Sequence, residues 1–347
     1  MRRTGLYGAT LLALALPAGA AQAQIFLTYL NAPQDGADIA EPPRLRLSFG
    51  GPEHGGPEHS EPARAAVMDT GSTGIVVSAA AIPGVETLPS LGPGTLTYSS
   101  SGRIMRGTWV RTTATVQGAN GASVTTAPIP VLAVTRLDCL RTARNCTPNP
   151  APQHIAMLGI GFGRQGDHQA QSTPDRNPFL NLAAGGAGRG YVVTRSGVHV
   201  GLGDAERRGF ATVQLARSPV FPDWAQAPAC ITVDNTAPAC GVALMDTGVT
   251  TMYLAVPPPN LPGSALAEGG TGLRPGVGLR FDLPDATAPK ASFRLTAGDT
   301  SAALAPARIV LVPRETAFVN TSVRFLNGYD YLFDADQGLV GYRRRGM

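Results

Sequence analysis

The chain has 347 residues, 43% of them hydrophobic and 15% charged, with a formal net charge of +4. That length can fill two lobes, each with its own core. Its basic residues are spread thinly, only Lys290 is a lysine, and "RRR" at 343–345 reads as a solvated end, so a polybasic nucleic-acid surface is excluded.

Residues 1–23 read as a secretory signal. "MRRTGLYGATLLALALPAGAAQAQ" has a basic start, a short apolar run and the small-residue stretch Ala21-Gln22-Ala23, which places cleavage before Gln24. The apolar run is too short for a membrane span, and no later stretch is long enough either. The mature protein is therefore expected to be exported, periplasmic or secreted, without an integral span.

"RLRLSF" at 44–49 alternates with period two, the pattern of a half-buried strand. The tandem "GGPEHGGPEH" that follows carries His54 and His59. It reads as an exposed Gly/Pro loop, because nothing rigid would hold those side chains as metal ligands. "AAVMDTGSTGIVVSAAAI" at 65–82 is an apolar run interrupted by Asp69, with a turn through Thr70, Gly71 and Ser72. "GTLTYSSSGRIMRGTWVRTTATV" alternates on both sides of a Ser/Gly turn and predicts a hairpin. "APIPVLAV" and "IAMLGIGFG" predict two more strands, and "GYVVTRSGVHVGLG" opens a further set after a Gly/Asn/Pro-rich region at 164–190. "CGVALMDTGVTTMYLAV" at 240–256 repeats the interrupted run around Asp246, and "YDYLFDADQGLVGYRRR" predicts a closing pair of strands. Gly 42 and Pro 30 suit many short strands joined by turns, and no long amphipathic helix emerges.

The four cysteines form two local pairs, Cys139 with Cys146 and Cys230 with Cys240. With export, each pair is expected to be a disulfide closing a short loop. A zinc site built from all four is the alternative, and the absence of any CxxC spacing weighs against it. Neither a metal nor a cofactor is expected.

One Asp-Thr-Gly is an ordinary turn. Two of them, 177 residues apart and each after a short apolar run, suggest two similar lobes that bring Asp69 and Asp246 to one cleft. Two carboxyls held a hydrogen bond apart cannot both ionise easily, so the pair retains one proton. One acid can then deprotonate a water while the other protonates a carbonyl. Gly71 and Gly248 would permit the close approach, and Thr70 and Thr247 can hydrogen-bond across the interface.

With these motifs the chain resembles the pepsin-like aspartic proteases over most of its mature length. Asp69-Thr70-Gly71-Ser72 and Asp246-Thr247-Gly248 match the two catalytic loops, Tyr98 matches the flap tyrosine, and Met157-Leu158-Gly159 matches the strand beneath the first loop. "GVHVGLGD" and "PDWAQAPACITVD" look like the start of the second lobe, and "FLNGYDYLFDADQGLVGY" looks like the family's closing segment. The resemblance implies an all-β, bilobal fold of two β-barrel-like lobes with the active site between them. It implies a first lobe over 24–195 and a second over 196–347. It implies an aspartic endopeptidase acting on peptides or proteins, a monomer, with Asp69 and Asp246 catalytic and Tyr98 on a substrate-binding flap. The stretch from Gln24 to Asp69 holds the first lobe's N-terminal strands and little more, so no inhibitory prosegment is expected.

Three positions depart from the pattern. Val76 replaces a tryptophan that supports the flap tyrosine, Val249 replaces a hydroxyl bonded to the second acid, and "AFVNTSVRFL" at 317–326, expected under the second loop, lacks the usual glycine. A non-catalytic binding or inhibitory member of the same fold is the competing reading, and both intact acids weigh against it. Other hydrolase signatures, G-x-S-x-G and H-E-x-x-H, are absent from the sequence.

Overall fold

A computed structural model describes residues 24–50, 63–143, 145–167, 169–185, 188–270 and 272–346. The expected leader and the histidines His54 and His59 lie outside these residues. Among the described residues the fold is almost entirely β: strands form three sheets, and the α-helix Asp204–Arg207 is a single turn. No helix there is long and apolar enough to cross a membrane.

The first sheet has nine strands. Their spatial order is β5 (Ser90–Tyr98), β6 (Arg103–Thr112), β9 (Ile129–Cys139), β4 (Thr73–Ser78), β10 (Ala156–Ile160), β3 (Arg64–Asp69), β2 (Arg44–Phe49), β7 (Ala114–Gln117) and β8 (Ser123–Thr125). Period-two alternation sets its outer strands: in β2, Leu45, Leu47 and Phe49 turn inward. The central β4 is buried at all six positions, as expected for a strand covered on both faces.

The second sheet has seven strands, in the order β19 (Arg308–Leu311), β16 (Thr251–Ala255), β20 (Ala317–Asn320), β15 (Ala239–Leu244), β14 (Ala227–Val233), β17 (Gly278–Leu283) and β18 (Ala291–Thr296). From β9 to β8 the first sheet has the same strand order and the same sequence of parallel and antiparallel pairings. The β5–β6 hairpin is the addition. Register is repeated as well. Val67 and Val76 both face Met157, while Leu244 and Tyr253 both face Asn320. Strands β3 and β4 thus correspond to β15 and β16 with the same offset of 177 that separates Thr70 from Thr247.

The third sheet orders β1 (Ile25–Thr28), β12 (Gly197–Leu202), β11 (Gly188–Val193), β21 (Tyr329–Asp334), β22 (Leu339–Arg344) and β13 (Ala211–Gln214). It draws strands from the beginning, middle and end of the chain. The division expected between residues 195 and 196 falls in the β11–β12 turn, inside this shared sheet. The sheet is stitched to the first one from below. Tyr191 Oη donates to the Ile160 carbonyl at 2.6 Å, and Phe162 stacks on Phe333 with ring centroids 4.1 Å apart. Each such buried ring contributes about 1.5–3 kcal/mol of transfer free energy, and together they form a firm floor under the end of β10.

Both cysteine pairs are joined, Cys139 to Cys146 and Cys230 to Cys240, with Sγ–Sγ separations of 2.01 and 1.93 Å. Cys230 and Cys240 stand directly opposite each other on β14 and β15. Paired in this way, the four thiols are not available as one zinc site.

Candidate active site

Asp69 closes β3 and Asp246 follows the end of β15, the equivalent strand of the second sheet. Both carboxylates are buried, at 5% and 6% exposure, so neither is an ordinary surface turn residue. The two acids lie within hydrogen-bonding reach of each other.

A reciprocal lattice of threonines holds them there. Thr70 N–H donates to Thr247 Oγ1 at 3.1 Å, and Thr247 N–H donates to Thr70 Oγ1 at 3.0 Å. Each hydroxyl then crosses to the other loop: Thr70 Oγ1 donates to the Met245 carbonyl and Thr247 Oγ1 to the Met68 carbonyl at 2.8 Å. All four bonds are buried, where geometry is held most tightly. The glycines set the approach. A methyl group on Gly71 would sit 2.4 Å from the Asp246 carboxyl carbon, and one on Gly248 would sit 2.5 Å from Asp69 Oδ1.

Each acid accepts two donors in a parallel arrangement. Asp69 Oδ1 accepts from Gly71 N–H and its Oδ2 from the Ser72 hydroxyl, both at 2.6 Å. Asp246 Oδ1 accepts from Gly248 N–H at 2.8 Å, and its Oδ2 accepts from Asn320 Nδ2 at 2.5 Å. Burial first, and the adjacent Asp69 charge second, push Asp246 far above the usual carboxylate range, against the lowering effect of the Asn320 amide. Asp246 therefore holds a proton over pH values where a free aspartate has lost it.

That shift has a consequence for stability. The folded state binds a proton that the unfolded chain releases near pH 4, so this group's contribution to stability is complete below about pH 4 and declines as pH rises, until Asp246 itself ionises. Asp246→Asn cannot titrate. Its stability relative to the native chain should therefore rise between about pH 4 and pH 7, read as urea midpoints at each pH. A difference that stays flat with pH would mean that Asp246 is not the proton holder.

The acids open into a cleft of about 440 Å³ that also includes Tyr98 and the hairpin tip. Tyr98 is the last residue of β5 and faces Arg103 across the turn. Its ring packs on the cluster of Val76, Leu96, Met105 and Trp109. Its hydroxyl is buried with no hydrogen-bond partner. Burial and the Asp69 charge raise the phenol well above its ordinary range; the Ser72 hydroxyl lies near enough to lower it slightly, yet falls short of hydrogen-bond geometry. Tyr98, Gly71 and Gly248 line the same cleft as the two acids, and Thr70, Ser72 and Thr247 hydrogen-bond within the two acidic loops.

The hairpin is held in its own way. Trp109, from β6, shares the Val76 cluster, and its indole N–H donates to Gln171 Oε1 at 2.8 Å instead of reaching Tyr98. The tip is fastened from the other half of the molecule: Tyr253 Oη donates to the Ser100 carbonyl at 3.0 Å. Tyr253 occupies the position in the second half that Val76 occupies in the first. Removing this one bond with Tyr253→Phe should cost only about 0.5–1.5 kcal/mol of stability. Amide exchange at Ser101 and Gly102 should nevertheless quicken severalfold, since their remaining bonds to Tyr98 O are local to the turn. Unchanged exchange at the tip would show that Tyr253 does not restrain it.

Three functional candidates escaped the sequence reading: Asn320, Tyr253 and Arg164. Arg164 is 2% exposed, donates from Nε to the Gly71 carbonyl at 2.7 Å and from Nη2 to Asp167 at 2.6 Å, and stabilises the charged form of Asp246. Its role is to brace the first acidic loop from outside. For Asn320 a signal existed, the polar run Asn320-Thr321-Ser322 that closes the apolar "AFV"; for Arg164 and Tyr253 there was none. The stretch at 317–326 does lie beneath the second loop, with Leu244 opposite Asn320. No protein-family model matches this chain, and no curated protein matches it either.

Proposed function

We propose that the chain is an aspartic endopeptidase of the pepsin-like type, exported and stabilised by its two disulfides. The observation that carries this reading is the joining of two equivalent Asp-Thr-Gly loops through the Thr70–Thr247 lattice, with both acids buried side by side. A structural turn has no need of such an arrangement, because burying two carboxyls together is costly.

The chemistry follows from one proton on two acids. A water lying between the carboxyls loses a proton to the ionised acid, and its oxygen attacks the peptide carbonyl carbon. The protonated acid gives its proton to the carbonyl oxygen, which yields a neutral tetrahedral diol. As the C–N bond breaks, the acid that accepted the water's proton passes it to the leaving nitrogen, a diol hydroxyl returns its proton to the other acid as the carbonyl re-forms, and the pair again holds one proton. Tyr98 and the hairpin tip would exclude bulk water above the acids, which strengthens the electrostatics at the dyad.

The test is cleavage of a denatured protein by the purified mature chain at mildly acidic pH, with and without pepstatin. Cleavage that pepstatin abolishes supports the proposal. Tight peptide binding without cleavage at any pH from 2 to 7 would instead favour a binding module.

A further inference from the structure

Repeated register makes the two acids comparable atom by atom, and they differ in one support. In the first half the Ser72 hydroxyl donates to Asp69 Oδ2 at 2.6 Å. The offset of 177 between the halves puts Val249 at the position of Ser72, and valine has no donor. The donor to Asp246 Oδ2 comes instead from Asn320, 74 residues further along. Asn320 is the counterpart of Met157, which is apolar: each lies on the central strand that faces both neighbours of its half. A hydroxyl lost at one position and an amide gained at another thus meet at the same oxygen.

We propose that Asn320 is the positioning residue of the second acid, its amide replacing the hydroxyl that position 249 lacks. The inference rests on the dyad reading of this site. The amide is oriented without ambiguity, because Asn320 Oδ1 accepts the Ser322 N–H at 3.1 Å and leaves Nδ2 for the acid. Ser322 is itself held with φ +63°, an unusual conformation for a residue with a side chain, at the position equivalent to Gly159. The turn that orients the amide therefore occupies the place of the glycine missing from 317–326.

The replacement is not chemically equivalent. A serine hydroxyl can donate to a carboxylate or accept from a carboxylic acid, whereas an amide N–H can only donate. Asp69 can face its support in either protonation state. Asp246 meets both of its supports, the Gly248 N–H and the Asn320 amide, as an acceptor only, so neither of them can take up its proton. The two acids are then unequal before substrate arrives, although the strands that deliver them are equivalent.

The experiment compares Asn320→Leu, Val249→Thr and the double variant, by carboxyl ¹³C NMR titration of Asp246 and by the pH profile of peptide hydrolysis. Loss of a donor to the charged form raises a carboxyl pKa. Asn320→Leu should therefore move the Asp246 titration, and the alkaline limb of the pH profile with it, upward by about one unit. Adding Val249→Thr, which restores a hydroxyl beside Oδ2, should return most of that shift. Val249→Thr alone should move the titration far less than it does beside Asn320→Leu, because the Asn320 amide already occupies Oδ2, and Asn320→Ala repeats the upward shift where Asn320→Leu does not fold. Titration unchanged in a folded Asn320→Leu or Asn320→Ala, or moved as far by Val249→Thr with Asn320 present as without it, overturns the inference. A native chain that hydrolyses nothing removes the protease reading, while the NMR titration still tests the support.

Discussion

Asp69→Asn and Asp246→Asn should each reduce kcat for peptide hydrolysis by about 10²–10⁴-fold or more, the loss expected when a general acid or base is removed. Asparagine is nearly isosteric with aspartate, so each variant can keep one of the two supporting bonds: from Gly71 N–H or the Ser72 hydroxyl at position 69, and from Gly248 N–H or the Asn320 amide at position 246. The threonine lattice involves neither side chain and should hold. Circular dichroism should be unchanged, and the two variants should separate in stability. Asp246→Asn removes a carboxyl that burial already keeps protonated, so at neutral pH it should not destabilise. Substantial turnover in either variant would take that acid out of the mechanism.

The second large effect belongs to the glycines. Gly71→Ala and Gly248→Ala each place a methyl group within about 2.5 Å of the opposite carboxyl, inside van der Waals contact with carbon or oxygen. Neither neighbour can yield cheaply, since each acid is fixed by two bonds and each loop by the lattice. Overpacking of this kind costs about 1–3 kcal/mol. The larger loss should be catalytic, because parting the acids by about 1 Å can cost on the order of 10²-fold in rate. Gly263→Ala is the control: a methyl group there meets nothing within 4 Å. Urea midpoints and kcat measured together should show both losses at 71 and 248 and neither at 263. Full activity in Gly71→Ala would mean that the carboxyls are not held as close as the fold places them.

Much of the local architecture was readable because it is written in local chemistry. Period-two alternation predicted β2, where Leu45, Leu47 and Phe49 face inward. The Ser/Gly turn predicted the β5–β6 hairpin, with Tyr98 at its end. Short spacing predicted both disulfides. What was not readable depends on pairing between distant segments. The third sheet joins β1 to β12, some 170 residues away, and nothing in "IFLT" announces its partner.

The amino-acid sequence by itself determined that the chain is β-rich and that two Asp-Thr-Gly turns recur at the ends of equivalent apolar runs, because residue type and spacing dictate strands and turns. Only the tertiary structure decided that those turns meet. The Thr70–Thr247 lattice, the closeness that Gly71 and Gly248 permit, and the burial that raises Asp246 all exist between segments 177 residues apart. It also decided that Asn320 supports Asp246 and that Tyr253 fastens the hairpin tip, since a hydrogen bond depends on which atoms the folded backbone brings within about 3 Å. Strand register sets those contacts, and register is fixed when whole sheets choose which face to bury.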